Sequence, residues 1–470
     1  MTPLPLARIA QWTSGRLLGD EVLIDAVATD TRTLDASDGR AALFIALKGE
    51  HFDGHDHVAA AADAGARALL VQRQVDVPLP QVVVADTERA LAAFASALQR
   101  SRDTRVAAIT GSNGKTSVKS LLLPMLAGAY ASPGNRNNEI GLPLAVIDAP
   151  EDAPFAIYEM GAGKPGDIAY LTAVARPDVA LVNNIAPAHL ERMGSLLGVA
   201  DTKAAIYDAL PSGGVAVINA DDAFAPYFAE RAHGRRLIRF GLESSADVTA
   251  RDIASDADGS RFTLATPQGD IEVHVALPGR HNVRNALAAA SMALGLGVSL
   301  QAIRDGLAAA RPVAGRLVSH RLAGGATLVD DSYNANPGSL NAAIELLAQG
   351  STQGREGWLV LGDMRELGDD ARALHAEAGR RAKAAGIARL YTLGALSAAA
   401  AEAFGDGARH FESHEALSAA LIAASAAPTT TILVKGSRGS AMDRVVAALL
   451  ADDAGRRDAG PGNQGDDDAA

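Results

Sequence analysis

One stretch, Thr110-Gly111-Ser112-Asn113-Gly114-Lys115-Thr116-Ser117, limits what this chain can fold into more than any other. Before it runs Val106-Ala107-Ala108-Ile109, short, apolar and suited to a strand. After it Val118, Leu121, Leu122, Met125 and Leu126 recur at i, i+3, i+4, i+7 and i+8, the apolar stripe of a helix. A strand, a Gly-rich turn and a helix N-terminus in that order turn backbone N–H groups and the positive end of a helix dipole toward an anion. Gly111, Ser112, Asn113 and Gly114 supply the cradle, and Lys115 a point charge for terminal phosphates. Thr116, followed by Ser117, offers a hydroxyl placed to ligate magnesium. The spacing departs from GxxxxGK[ST], since Gly111 stands three residues before Gly114 rather than five. A Gly-rich turn alone is an ordinary βα connection. Lys-Thr-Ser at the helix start points instead to a nucleoside triphosphate.

At 470 residues the chain exceeds one hydrophobic core. Residues 1–101 mix short β-like and helical patches and form a first unit, ending in a polar hinge at Ser101 to Arg105. Residues 102–311 open with the phosphate loop and alternate strand-like runs (Ala156-Ile157-Tyr158, Val179 to Val182, Val215 to Ile218) with helical ones, the pattern of a parallel α/β sheet. A β-rich insert spans roughly Asp247 to Leu277. Residues 312–451 repeat the alternation in a compact Rossmann-like unit, with strands at Ala326 to Val329, Trp358 to Leu361, Leu390 to Leu393 and Thr431 to Val434. No GxGxxG opens it, so no dinucleotide site is read there. Residues 452–470, rich in Asp, Gly and Ala, read as a disordered acidic tail.

Composition excludes several classes. Apolar and charged contents of 48% and 21% are those of a soluble globular protein. A net charge of −12 with no basic stripe argues against nucleic acid. The absence of cysteine removes disulfides, thiolate metal sites and a cysteine nucleophile. No apolar run reaches the length of a membrane span, and Met1 to Asp20 lacks the order of a signal peptide; a cytoplasmic protein is expected.

Further polar clusters fall where loops leave the expected strands, the place where α/β sheets bind ligands. Glu159 ends a strand before Met160-Gly161-Ala162-Gly163, a setting that suits a hard cation beside a phosphate, or a merely solvated carboxylate. His189 lies in the loop after Val179 to Val182, as a metal ligand or as an imidazole bonded to backbone. Lys203 sits in a helix nearly bare of charge, either snorkelling to the surface or desolvated with a lowered pKa. Gly134-Asn135-Arg136-Asn137-Asn138-Glu139 is dense in amides, and Gly279-Arg280-His281-Asn282-Val283-Arg284-Asn285 introduces an Ala-rich helix. Asp330-Asp331-Ser332-Tyr333-Asn334-Ala335-Asn336-Pro337 and Lys435-Gly436-Ser437-Arg438 end strands of the third unit. Each has a bland reading as a turn. Together they describe a cleft between α/β units, lined by groups for phosphate, metal and carboxylate.

In this order the motifs resemble the Mur ligases, ATP-dependent amide ligases of cell-wall precursor synthesis. The resemblance runs from Asp30 to about Met442 through TGSNGKTS, GNRNNEIGLPL, the EMG of Glu159, NIAPAHLE, Lys203, GRHNVRNA, Gly315-Arg316, DDSYNANP, LGDMRELG and KGSR. The shortened phosphate loop is itself the family form. DDSYNANP, the missing Asp-Asn-Pro-Arg signature, and the N-terminal Asp30-Thr31-Arg32, Leu43 to Gly49 and Asp53-Gly54-His55 point to the activity that joins D-alanyl-D-alanine to UDP-N-acetylmuramoyl-tripeptide.

The resemblance implies three domains: a small α/β UDP-substrate domain, a central ATPase-like sheet with its β-rich insert, and the Rossmann-like unit. It implies ATP and two magnesium ions as cofactors, an acyl-phosphate intermediate, and a monomer that neither enters membranes nor binds nucleic acid. Lys115, Glu159, His189 and Lys203 become catalytic, with Thr116 and Glu159 on one magnesium and His189 and a carbamylated Lys203 on the other. The phosphate loop through Ser117, with Asn282, Arg316 and Asp331, holds ATP. Thr31, Arg32, Asn135, Asn138, Tyr333, Asn334 and Ser437 fall to the UDP-sugar peptide, the dipeptide or closure of the site. Because nucleotide groups come from two units, closure of the C-terminal unit is expected to be part of catalysis. Two alternatives stay open: another ATP-dependent amide ligase, similar to folylpolyglutamate synthase, and a nucleotide-switched binding protein without ligase activity.

Overall fold

The structure, a computed structural model, describes residues 1–49, 52–187, 190–256, 259–352 and 354–458. Its first unit is a five-stranded sheet in the order Arg16–Leu18, Gln81–Val83, Ala68–Val71, Ala42–Ile45, Ala26–Ala28, parallel except for the first pair. Ala42–Ile45 and Ala68–Val71 are buried along their whole length, as continuous apolar strands of a covered parallel sheet must be. The unit leaves through a long helix, Thr87–Arg100, whose start is fixed by Asp86 accepting from the Arg89 N–H at 3.0 Å.

That helix joins two units rather than closing one. It packs on Gly141–Asp148 and Asp167–Ala175 of the second unit. One continuous apolar cluster runs from Leu43, Ile45 and Leu70 through Leu91, Phe94 and Leu98 to Val146, Tyr158, Ile168 and Ile206. The Tyr158 hydroxyl donates to Gln99 Oε1 at 3.3 Å inside it.

The second sheet is all parallel, in the order Arg236–Phe240, Val215–Asn219, Val179–Val182, Arg105–Thr110, Phe155–Glu159, Tyr130–Ala131. From Arg105–Thr110 the chain goes to the edge strand Tyr130–Ala131, returns to Phe155–Glu159 and then crosses to Val179–Val182 on the other side, so strand order reverses at the C-terminal tip of Arg105–Thr110. A crevice opens at such a point in α/β sheets, and the phosphate loop occupies it. Lys115–Leu122 and Arg280–Gly295 cover one face with the insert, whose three antiparallel strands are Thr249–Ser255, Ser260–Thr266 and Gly269–Val275. Asp167–Ala175 and Leu196–Asp208 cover the other. The apolar stripe read after the phosphate loop breaks at Pro124: the α-helix stops at Leu122 and a 3₁₀ turn, Leu123–Met125, carries Met125 inward.

The third sheet runs Val318–Arg321, Thr327–Asp331, Thr430–Lys435, Glu356–Gly362, Arg389–Leu393, Ala408–Phe411, parallel except for the first pair. Its two edge strands escaped the sequence reading because Ser319, His320, Arg321, Arg409 and His410 leave them half-exposed and without an apolar run. Residues 452–458, read from composition as the start of a disordered tail, are helical. Asp443–Asp458 is one helix through residues 452–458, with Arg456 on Asp452 at 2.7 Å and Arg457 on Asp453 at 2.8 Å, both at i,i+4. Residues 459–470 lie outside the described residues. None of the described helices is long and apolar enough to cross a membrane.

Candidate active site

The phosphate loop takes its shape from two glycines. Gly111 has φ +148° and Gly114 φ +79°, and a Cβ on Gly114 would sit 2.4 Å from Asn183 Nδ2 and 2.6 Å from Asn285 Oδ1. Amides from neighbouring strand tips and helices brace the turn. Asn183 Nδ2 donates to Asn113 O at 2.9 Å and to Asn285 Oδ1 at 3.1 Å, while Asn184 Oδ1 accepts from the Asn113 N–H at 2.9 Å. The Ser112 hydroxyl exchanges hydrogen bonds with the Ala186 backbone at 3.0 Å. Asn282, in the same helix as Asn285, accepts from it at 3.3 Å. Asn183 and Asn285, given no ligand role in the sequence analysis, thus brace the loop beside Asn282, which was assigned to ATP.

Glu159 sits at the centre, 4% exposed. Its Oε2 accepts from the Thr116 hydroxyl at 2.8 Å and lies 3.6 Å from Lys119 Nζ; its Oε1 accepts from Asn137 Nδ2 at 3.0 Å. Burial opposes the charge, but the Lys115 and Lys119 ammonium groups and the Thr116 and Asn137 hydrogen bonds outweigh it and hold the carboxyl below its usual range. Lys115 donates to Gly111 O at 2.8 Å, and burial pushes its ammonium below the ordinary lysine value.

Lys203 lies 2% exposed in its helix, which settles the choice between a surface amine and a desolvated one. Burial, with the Lys115 charge, pushes its pKa down to about 7. His189 lies outside the described residues.

A cavity of about 960 Å³ opens over these groups, and both α/β sheets line it. From the third unit come Arg316, Asp331, Tyr333, Asn334 and Lys435. Arg316 Nη2 donates to the Thr116 hydroxyl at 3.0 Å and its guanidinium lies 4.4 Å from the Tyr333 ring centroid. Its Nε is buried with no acceptor among the described residues, a donor free for an anion. Asp331 pairs with Lys435 at 2.5 Å; burial pushes its carboxyl up against that partner. Asn336 Nδ2 donates to Asn113 Oδ1 at 2.7 Å. His281 also lines the cavity, and burial beside Lys435 and Arg284 lowers its pKa to about 4, so it is neutral at neutral pH.

The donor set suits magnesium at Thr116 and Glu159. That ion binds through one or two carboxylates together with substrate phosphates and its own waters, and one carboxylate and one hydroxyl stand beside a phosphate cradle. Among the described residues no group of three His, Asp or Glu forms an all-protein cage. An ammonium at Lys203 would repel a second cation, so that position fits one only as a modified, oxygen-bearing side chain.

Three family models match consecutive stretches of the chain: the Mur ligase family catalytic domain over residues 25–107, the Mur ligase middle domain over 109–293, and the Mur ligase glutamate ligase domain over 315–438. The chain belongs to the Mur ligase family. The UDP-N-acetylmuramoyl-tripeptide--D-alanyl-D-alanine ligase of Escherichia coli (strain K12) is 42% identical over 456 residues, covering 96% of this chain and 99% of its own. MurF from Acinetobacter baumannii superposes with a TM-score of 0.89 at 32% identity, covering 96% and 99%. MurF from Thermotoga maritima, solved in complex with ADP, gives 0.82 at 25% identity over 92% and 98%.

Set against the roles that the family resemblance implied, the structure brings most of the residues into one cavity and leaves some out. Gly111 to Lys115, Ser117, Asn135, Asn138, Glu159, Lys203, Asn282, Arg316, Asp331, Tyr333 and Asn334 line it. Thr116 reaches it through Glu159. Thr31 and Arg32 do not: they form a short 3₁₀ turn in the first unit, where Arg32, exposed at the surface, pairs with Asp30 at 2.5 Å. Ser437 is 5% exposed, accepts from the Arg365 N–H at 2.8 Å and donates to Ala335 O at 3.1 Å, so its hydroxyl holds the strand tip together. Neighbouring Arg438 lines the cavity in its place.

Proposed function

We propose that this Mur ligase joins D-alanyl-D-alanine to UDP-N-acetylmuramoyl-tripeptide, with ATP as the activating substrate. One observation carries the reading: a phosphate loop, a buried strand-tip carboxylate and a desolvated lysine share a cavity with cations from a second α/β unit, in a chain 42% identical along nearly its whole length to a ligase of that name.

A carboxylate is a poor electrophile with a poor leaving group, and phosphorylation corrects both. A carboxylate oxygen of the tripeptide attacks the γ-phosphorus of ATP, the bond to the bridging oxygen breaks, and ADP departs. The amine of D-alanyl-D-alanine then attacks the acyl phosphate carbonyl, loses a proton, and phosphate leaves as the amide forms. Phosphoryl transfer needs chiefly positioning and charge neutralisation. The loop amides and Lys115 would hold the phosphates, with Arg316 presenting its free Nε–H from the facing unit. Thr116 and Glu159 would hold a magnesium ion, which would supply further neutralisation of the transferring group. His189 and Lys203, carbamylated so that the amine becomes an oxygen donor, would hold a second ion. Asn282 and Asp331 are assigned to the nucleotide, Asn135 and Asn138 to the UDP-sugar peptide, Tyr333 and Asn334 to the dipeptide. A cytoplasmic monomer fits these soluble, nucleotide-linked substrates.

Phosphate release from ATP, measured with a panel of UDP-muramoyl peptides with and without D-alanyl-D-alanine, tests the assignment. Release is expected only with both substrates. Equal release when either is omitted overturns it and favours another amide ligase or a nucleotide switch.

A further inference from the structure

Lys119 lies one helical turn beyond Lys115 on the phosphate-loop helix, and the sequence offers no motif that singles it out. It is 8% exposed, unlike a surface lysine that snorkels to water. Its Nζ donates to Ser132 O at 2.8 Å and to Gly134 O at 3.2 Å, and lies 3.6 Å from Glu159 Oε2. Two carbonyl acceptors and the adjacent carboxylate charge together offset the cost of burying the ammonium.

The segment it grips is otherwise held to Phe155–Glu159 mainly through backbone, the Ser132 N–H donating to Ile157 O at 3.0 Å and the Ser132 hydroxyl accepting from the Glu159 N–H at 3.4 Å. Edge strand Tyr130–Ala131 pairs with the sheet through two residues only, Ala156↔Tyr130 and Ile157↔Ala131. The chain then leaves as the loop that carries Asn135, Asn137 and Asn138. Farther along, Asn137 Nδ2 donates to Glu159 Oε1 at 3.0 Å and its carbonyl accepts from the Gly161 N–H at 2.8 Å. Glu159 is therefore clamped on one oxygen by the phosphate-loop helix, through Thr116 and Lys119, and on the other by the amide-rich loop. Lys119 pairs its charge with Glu159 while hydrogen-bonding the backbone of the loop, so one ammonium touches both the carboxylate and the segment that leads to Asn135 and Asn138.

We propose that Lys119 is a positioning residue that ties the amide-rich loop 132–138 to the Glu159 carboxylate, keeping the site of the UDP-linked peptide in register with the site of phosphoryl transfer. The inference rests on the peptide-ligase reading above, which assigns that loop to the UDP-sugar peptide.

Two variants test it. Lys119→Met keeps the stem and removes the charge; Lys119→Arg keeps the charge. Affinity for UDP-N-acetylmuramoyl-tripeptide, measured by calorimetry without ATP, is expected to fall about tenfold in Lys119→Met, the scale of a lost charge-assisted hydrogen bond. ADP affinity measured without magnesium, which draws on the phosphate loop and Lys115, is expected to stay within about twofold, and Lys119→Arg to recover part of the peptide affinity, since loss confined to one ligand separates positioning from general damage. Native affinity for the UDP-peptide in Lys119→Met overturns the inference. So does an equal loss of both ligands with a lowered melting temperature and no recovery in Lys119→Arg, the mark of a merely structural lysine. If the native protein binds no UDP-tripeptide, the ligase reading itself fails and takes this inference with it.

Discussion

At Gly114 the backbone runs at φ +79° and the side chains of Asn183 and Asn285 occupy the space a Cβ would need, so conformation and space both exclude a side chain. Gly114→Ala is expected to cost about 1–3 kcal/mol in stability and to displace the Lys115 amide from the phosphate cradle. Thermal unfolding and ADP titration check this, and native ADP affinity would show that the turn tolerates a methyl group. Lys203 allows a second prediction with a definite sign. A depressed pKa of about 7 means that the neutral amine, the form that takes up carbon dioxide, gains population as pH rises through neutrality, where an ordinary lysine would stay protonated. Protein stripped of carbon dioxide should thus regain activity on adding bicarbonate more completely at about pH 8 than at about pH 6. Lys203→Ala should be nearly inactive and partly rescued by short carboxylic acids. Full activity in the unrescued variant removes Lys203 from the site.

Among the elements, Thr87–Arg100 has the widest consequences. Its Leu91, Phe94 and Leu98 are buried in one cluster with residues of both the first sheet and the second. Phe94, fully buried with Trp12 at 6.1 Å between ring centroids, is expected to cost about 3–5 kcal/mol when replaced by alanine. Because the cluster is shared, Phe94→Ala should lower the unfolding midpoints of the first two units together, followed by protection of their backbone amides from exchange. A loss confined to residues 1–86 would show that the helix belongs to the first unit only. That the first unit holds helical patches was legible in sequence; that the apolar face of this one serves two sheets was not, because a stripe of Leu, Ala and Phe specifies burial without naming the partner.

On the scale of the whole molecule, the third unit meets the second differently. Its own apolar clusters stay within it, and it reaches the phosphate loop through polar pairs such as Arg316 with Thr116 and Asn336 with Asn113. Polar contacts of this kind separate at modest cost, whereas the fused core of the first two units does not. Hinge motion is thus expected at the residues near Arg311 and not at Ser101 to Arg105. A Cβ placed on Gly338 would lie 3.2 Å from Ala186 Cβ across the joint, near disulfide geometry, and the chain has no other cysteine to interfere. Ala186→Cys combined with Gly338→Cys, once oxidised, should slow turnover at least about tenfold by preventing reopening, with recovery on reduction. Undiminished turnover in fully crosslinked protein would mean that catalysis proceeds without opening.

Local chemistry was written along the chain. Apolar runs that alternate with helical stripes specify a parallel α/β sheet, and a glycine turn before Lys-Thr-Ser specifies an anion cradle, because periodicity and backbone freedom act over a few residues. What the chain could not declare in one dimension is which distant groups share a volume. Lys119 lies in no motif yet grips loop 132–138 beside Glu159, whereas Ser437 lies in one and spends its hydroxyl on Ala335 and Arg365. Arg316 meets Thr116 across 200 residues. Burial, the pKa of Lys203 and the third unit's grip on the phosphate loop are properties of packing, and only the tertiary structure decides them.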